Sequence, residues 1–386
     1  MNEELEWGVR VLPAEMVPRG RGLERSFRGV VIRDEGCDTR YPLAIGDMRY
    51  AIGDTRYAIG ELRQVLGDRA RAAEALSRYT TARIGGPADL LVEATSADDL
   101  RELVLTARRH RVPIFILGGG ANILVGDAGI RGLTIVNKAR RLEFLDGGHV
   151  RAESGVILPT LARECIARGL SGLEWAIGVP GTVGGAVVGN AGAHGRDTAS
   201  DLKQASILGP DGHVQTWRVE ELKFSYRSSR IKTAGSETRA ELMKSETRAK
   251  RGPLARAKPG APRRGAYVVL AAEFELARGD RAELERKAAE FNEYRRRTQP
   301  PGASIGSMFK NPPGDTAGRL IDAAGLKGTR IGQAEISRLH ANFFVNLGGA
   351  KAQDVMALIN LARERVREKF EVELELEIEL VGDWRE

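Results

Sequence analysis

Hydrophobic positions along this chain change period several times, and each change marks an element. Leu62, Val65, Leu66, Ala73 and Leu76 are available for one helical face and predict a helix from Leu62 onward. An extended run at 89–94 follows. A helix is predicted over about 97–110, opened by Ser96 with Asp99 three residues on in the capping-box position. Strand 114–117 runs straight into Gly118, Gly119 and Gly120. Short strands are predicted at 133–137, 141–145 and 149–153, then a helix beginning near Pro159 and ending at Gly169. Strand candidates 203–208 and 213–218 flank the turn at Gly209, Pro210, Asp211 and Gly212. A strand at 266–276 precedes helices at about 280–297, 316–324 and 351–369, the first stopped by Pro300 and Pro301. Over 372–381, Glu373, Glu375, Glu377 and Glu379 alternate with apolar residues, which predicts a closing strand with one face on a core.

A chain of 386 residues, 42% hydrophobic, can bury two or three cores of this mixed kind, so more than one domain is expected. The expected boundaries are an extension at 1–61, a first module at 62–276, a second domain at 277–370 and the closing strand within 371–386. The extension is set apart by the strings RYPLAIGDM, RYAIGDT and RYAIGEL, whose period of seven to nine residues is too short for a solenoid unit. It is expected to be poorly ordered.

The net charge of +7 invites a nucleic-acid reading, but residues 233–264 alone hold nine Lys or Arg against three Glu. That segment contains no aromatic residue and repeats SETRA at 236–240 and 245–249, so it reads as a solvated inserted loop rather than a base-stacking surface. The two cysteines, Cys37 and Cys165, lie far apart with no metal spacing, which fits a reducing compartment. No signal-like start and no run of about 18 apolar residues is present. A cytoplasmic monomer binding neither nucleic acid, membrane nor metal is the expectation.

The chemistry is carried by two glycine strings. GLEWAIGVPGTVGGAVVGNAGAHG at 172–195 interleaves glycine with Val, Ile and Ala, which is not linker composition. ILGGGAN at 116–122 is the second. Both read as backbone pressed against a ligand, with N–H groups free to face a planar or anionic group. The pattern is not GxGxxG, so a Rossmann fold is disfavoured.

Read together and in order, TTARIGGPADLLVEA, ILGGGANILV, the 172–195 string, FSYRSSRIK, QPPGASIGSMFKNP, AGLKGTRIGQAEIS and HANFFVN resemble the motifs of the UDP-N-acetylenolpyruvoylglucosamine reductase family, across roughly 62–382 apart from the basic insert. The resemblance implies an α+β chain: a two-subdomain FAD-binding module of the vanillyl-alcohol-oxidase type followed by an α+β substrate domain. It implies noncovalent FAD, NADPH as co-substrate, and reduction of an enolpyruvyl ether of a UDP-sugar to UDP-N-acetylmuramate. Arg227, Ser307 and Glu377 would be catalytic. Ile84, Gly85 and Gly86 would line the adenine side of the flavin, and Gly118, Gly119, Gly120, Ala121 and Asn122 would cradle its pyrophosphate. Gly178, Pro180, Gly181, Thr182, Gly184, Gly185, Asn190 and Gly192 would line its ring and ribityl side, so that two glycine walls grip the cofactor. Tyr226, Lys310, Asn311, Arg330 and Gln333 are the implied substrate contacts. Glu377 shares its face with three other glutamates, and sequence alone leaves open which one acts. Two competing readings are a different FAD oxidoreductase of the same fold and a noncatalytic polyanion-binding protein using the basic insert.

Overall fold

Strand Ile130–Asn137 is buried along nearly its whole length, as a central parallel strand with both faces covered must be. Pro87–Ala94 and Ile114–Leu117 pair with it in parallel, and Arg71–Ala75 adds antiparallel to Pro87–Ala94 at the edge. Helix Ala97–Arg109 links the two flanking strands and buries Leu100, Leu103, Val104 and Ala107. Its cap is as predicted, with the Ser96 side chain accepting from the Asp99 backbone. The reciprocal arm goes one residue earlier, because Asp99 Oδ2 accepts from the Thr95 N–H at 2.9 Å.

The computed structural model describes residues 57–234 and 267–384, all within the second of two units of the chain, Arg49–Glu386. The expectations for the inserted loop fall outside the described residues apart from 233–234, and those for the extension apart from 57–61. Residues 57–66 are helical, with Ala58 and Ile59 packed on the first core, so the extension ends earlier than expected. The predicted helix does not continue to Leu76. Gly67–Arg69 turns the chain and Arg71–Ala75 becomes a strand, because its backbone finds a ready partner edge in Pro87–Ala94.

A second, five-stranded antiparallel sheet runs in the order Val214–Arg218, Leu202–Leu208, Val268–Glu275, His149–Glu153, Leu142–Phe144. Helix Leu158–Ala167 and the glycine-rich helix Val183–Gly189 contribute Leu161, Ala162, Val183 and Val187 to its core. A third sheet has the order Ala303–Ser307, Phe343–Asn346, Ala334–Ile336, Arg330–Ile331. Helix Ala352–Phe370 lays Val355, Leu358, Ile359 and Ala362 over it. The architecture is α+β. Among the described residues no helix is long and apolar enough to cross a membrane.

The chain end departs most from expectation. Only Glu379–Val381 is a strand, pairing in parallel with Ile123–Val125 of the glycine-loop region. Residues 372–378 form no ladder apart from a bridge from Leu376 to Phe309, and the chain bends at Glu377 and Ile378. Alternation alone could not reveal this, since Leu374 and Ile378 are buried as an alternating strand would bury them.

Candidate functional site

Arg227 sits on a tight turn closed by two hydrogen bonds of 3.1 Å between Ser225 and Ser228, and it holds φ +56. A non-glycine residue stays in that left-handed region only where its surroundings fix it. They do so here: Asn190 Nδ2 donates to the Ser225 carbonyl at 3.2 Å, and Ser229 Oγ donates to the Val188 carbonyl at 2.7 Å. The guanidinium donates from Nε to Glu377 Oε1 at 2.6 Å and from Nη2 to the Gly192 carbonyl at 3.0 Å. The charge-assisted bond is of the strong class.

Glu377 is held by backbone on both sides. Its N–H donates to the Met308 carbonyl at 3.0 Å, and its carbonyl accepts from Asn122 Nδ2 at 3.2 Å. The next ladder bond runs from Glu379 N–H to the Asn122 carbonyl at 2.9 Å. Ser307 directly precedes Met308 and pairs across the sheet with Phe343. Buried Met308 and Phe309 lock this segment, and Asn342 clamps it, its Oδ1 accepting from the Phe309 N–H at 2.9 Å. Among the described residues the Ser307 hydroxyl has no partner. Arg227 and Glu377, 150 residues apart in sequence, therefore meet beside Asn122, and the backbone of Met308, the residue after Ser307, is tied to Glu377. Among the four glutamates the geometry singles out 377. Its side chain is 14% exposed, against 34% for Glu379, 71% for Glu373 and 75% for Glu375.

The glycine strings meet. A Cβ on Gly119 would lie 2.9 Å from Gly181 Cα, and one on Gly118 would lie 2.5 Å from Thr182 Oγ1. The two strings touch here, because neither Gly119 nor Gly181 carries a side chain to hold the loops apart. Gly120 has φ +61, and among the described residues the N–H groups of Gly119, Gly120, Ala121 and Asn122 find no acceptor. A run of free backbone donors at a left-handed turn is the chemistry that suits a pyrophosphate. The side on which a Gly181 Cβ would project is open. Ala121 offers only backbone there.

Other expected contacts carry structural duties. Ile84 is buried in the third core, and Gly86 is pressed against the Asp127 backbone of its own chain, donating to the Gly126 carbonyl at 3.1 Å. Gly85 faces Val125, and Gly184 packs on Ser154. Both Asn190 amide hydrogens and its oxygen are engaged by Asp197, Ser225 and Ala199, so its side chain supports the Arg227 turn. Asn311 Oδ1 caps helix Ala317–Ala323 through Ala317 N–H at 3.1 Å. Tyr226 is exposed, with the Arg227 guanidinium 5.3 Å from its ring centre. Lys310 reaches Glu375 Oε2 at 3.2 Å, an exposed pair.

Arg330 and Gln333 are not brought to the Ser307 side. Arg330 is paired with buried Glu335 on the strand at the far edge of the third sheet. Three strand spacings of about 4.8 Å put that edge roughly 14 Å away. Pro180, Gly178 and Gly185 complete the surface beside Gly181, and there Arg295 was missed by sequence reasoning. Its side chain lies against Gly178, burial pushes its guanidinium below the ordinary value, and it has no acidic partner among the described residues. Within the run Arg295, Arg296, Arg297 it reads only as a helix end. His194 is exposed, its ring stacked on that of Phe291 with centroids 4.0 Å apart.

Residues 298–381 match the family described as UDP-N-acetylenolpyruvoylglucosamine reductase, C-terminal domain, and residues 88–218 match an FAD binding domain. The chain is 46% identical over 315 residues to the UDP-N-acetylenolpyruvoylglucosamine reductase of Rubrobacter xylanophilus, covering 81% of this chain and 96% of the relative. It is 42% identical over 305 residues to that of Chloroflexus aggregans, covering 78% and 94%. The crystal structure of the Thermus caldophilus enzyme of the same name superposes with a TM-score of 0.64 at 34% identity, over 81% of this chain and 99% of that one.

Proposed function

This chain belongs to the UDP-N-acetylenolpyruvoylglucosamine reductase family, and from that membership we propose that it reduces the enolpyruvyl ether of UDP-N-acetylglucosamine to UDP-N-acetylmuramate for peptidoglycan synthesis, with NADPH as reductant. When bound, FAD supplies two-electron hydride chemistry. The donor run Gly119–Asn122 would hold its pyrophosphate, and the Gly178, Gly181 and Gly185 surface its ring side.

The protein's own work is on the substrate. Hydride arriving at the terminal vinyl carbon leaves charge on the adjacent carbon and, by conjugation, on its carboxylate. That enolate must be stabilised and then protonated. Arg227 presents a guanidinium suited to the carboxylate, and Glu377 fixes its direction. Ser307 has an unengaged hydroxyl one residue from the Glu377 anchor and donates the proton to the carbon. Tyr226 and Lys310 border the same region, and Arg330 with Gln333 would meet only a remote part of the nucleotide. Because the substrate is a nucleotide sugar and the reductant is NADPH, the reading places the activity in the cytoplasm, in a monomer whose site is built within one chain.

The observation that carries this reading is the Arg227–Glu377 pair tied by backbone to Met308, next to Ser307. The test is spectroscopic. Purified protein should be yellow, bleach with NADPH, and recover colour on adding the enolpyruvyl substrate. Ser307→Ala should bleach normally yet fail to recover; equal loss of both steps would remove Ser307 from the proton-donor role.

A further inference from the structure

Lys232, five residues after Arg227, has no role in the mechanism so far. Its Nζ donates to the Arg227 carbonyl at 3.2 Å and pairs with Glu379 Oε1 at 3.3 Å. The lysine and glutamate side chains are 23% and 34% exposed, half-sheltered rather than free in solvent. The lysine backbone is itself fixed: Ile231 beside it is buried, and Lys232 N–H donates to Ser229 Oγ at 3.4 Å. Arg227–Glu377 and Lys232–Glu379 are thus two parallel ties between the 224–234 segment and the chain end.

The placement matters because of the Arg227 backbone. At φ +56 this residue relaxes toward an ordinary conformation unless something restrains it, and any such relaxation swings both its carbonyl and its side chain. An ammonium held on that carbonyl resists the swing. We propose that Lys232, anchored by Glu379, is a positioning residue that keeps the Arg227 guanidinium seated on Glu377 where substrate charge develops. The proposal rests on the functional reading above. A half-exposed ion pair contributes little to stability by itself, so its effect should appear in one step of the reaction rather than in folding.

The test uses full-length holoenzyme, with the two half-reactions followed separately by flavin absorbance. Lys232→Met keeps the aliphatic stem and removes the donor. Its bleaching by NADPH should be unchanged, while reoxidation by substrate should slow roughly 10- to 100-fold, the scale of a misplaced catalytic group. Lys232→Arg, which can still donate to both partners, should restore most of the rate. Glu379→Gln should slow the same step in the same direction and decides the matter if Lys232→Met fails to hold flavin. The proposal is overturned if Lys232→Met reoxidises at the native rate, or if both half-reactions fall together at normal flavin content. Arg227→Lys separates it from the reading beneath it. Native reoxidation in that variant removes Arg227 from catalysis, whereas an inactive Arg227→Lys beside a fully active Lys232→Met removes only the positioning role.

Discussion

At the scale of single residues, burial and partnership separate groups that composition treats alike. Glu373, Glu375 and Glu377 recur at the same spacing, yet only Glu377 of the three is sheltered against a guanidinium while its neighbours stand in solvent. Glu377→Gln should therefore slow substrate-driven flavin reoxidation by about 10²- to 10³-fold, the usual cost of losing one stabilising group at a developing charge. Glu373→Gln and Glu375→Gln should leave the rate unaltered, and stopped-flow absorbance distinguishes the three. Asn190 makes a second case. The glycine-rich string around it invites a ligand-facing assignment, but its amide connects the Asp197 side chain, the Ser225 carbonyl and the Ala199 N–H. Asn190→Ala removes three hydrogen bonds made by a buried side chain and should destabilise the fold by about 1–3 kcal/mol, measured by urea unfolding. No local sequence signal marks it, because its partners lie up to 35 residues away.

At the scale of elements, the sequence was readable wherever a local rule decided the outcome. Ser96 caps its helix, Gly169 at φ +66 ends another, and helix Ala352–Phe370 follows its apolar stripe. It failed where a distant partner chose the conformation. Arg71–Ala75 carries helical spacing yet joins the edge of Pro87–Ala94, and the alternating chain end stays unpaired from Val372 until it finds Phe309 and then Ile123. The glycine strings were legible as close-approach backbone, while the fact that they touch one another was not. That contact gives a graded prediction. Gly119→Ala would drive a methyl to 2.9 Å from Gly181 Cα, whereas Gly185→Ala meets nothing nearer than 3.6 Å. The first should yield folded but colourless protein and the second yellow protein, with flavin content read from the absorbance ratio. Cys165 shows the opposite of a reactive element. It is fully buried on helix Leu158–Ala167, and burial pushes its thiol up to about 12. The thiolate is the nucleophile and is scarce well below that value. Native protein at pH 8 should resist iodoacetamide at this site, and alkylation should appear in peptide mass spectra only after unfolding.

At the scale of the whole described chain, the closing segment joins what would otherwise be separate cores. Leu374 and Ile378 are buried with the third sheet, Glu379–Val381 extends Ile123–Val125 beside the glycine loop, and Glu377 between them reaches Arg227 next to the second core. The candidate site is therefore assembled by long-range contacts, and each of the three proposed catalytic groups comes from a different region of sequence. This is why family resemblance and motif order could nominate the residues while spacing alone could not place them together. The same seam holds the donor run, since Asn122 bonds Glu377 through its side chain and Glu379 through its backbone. Removing residues 373–386 should then do more than delete a catalytic carboxylate. Two buried apolar side chains are lost, at about 1.5–3 kcal/mol each, and the loop that presents the Gly119–Asn122 N–H groups loses its clamp. The truncated protein should release its flavin as well as losing turnover, whereas Glu377→Gln, which keeps every backbone tie, should remain yellow. Fluorescence of free flavin after gel filtration compares the two directly. A truncated protein that still elutes with stoichiometric flavin would show that the glycine loop holds its shape without the chain end.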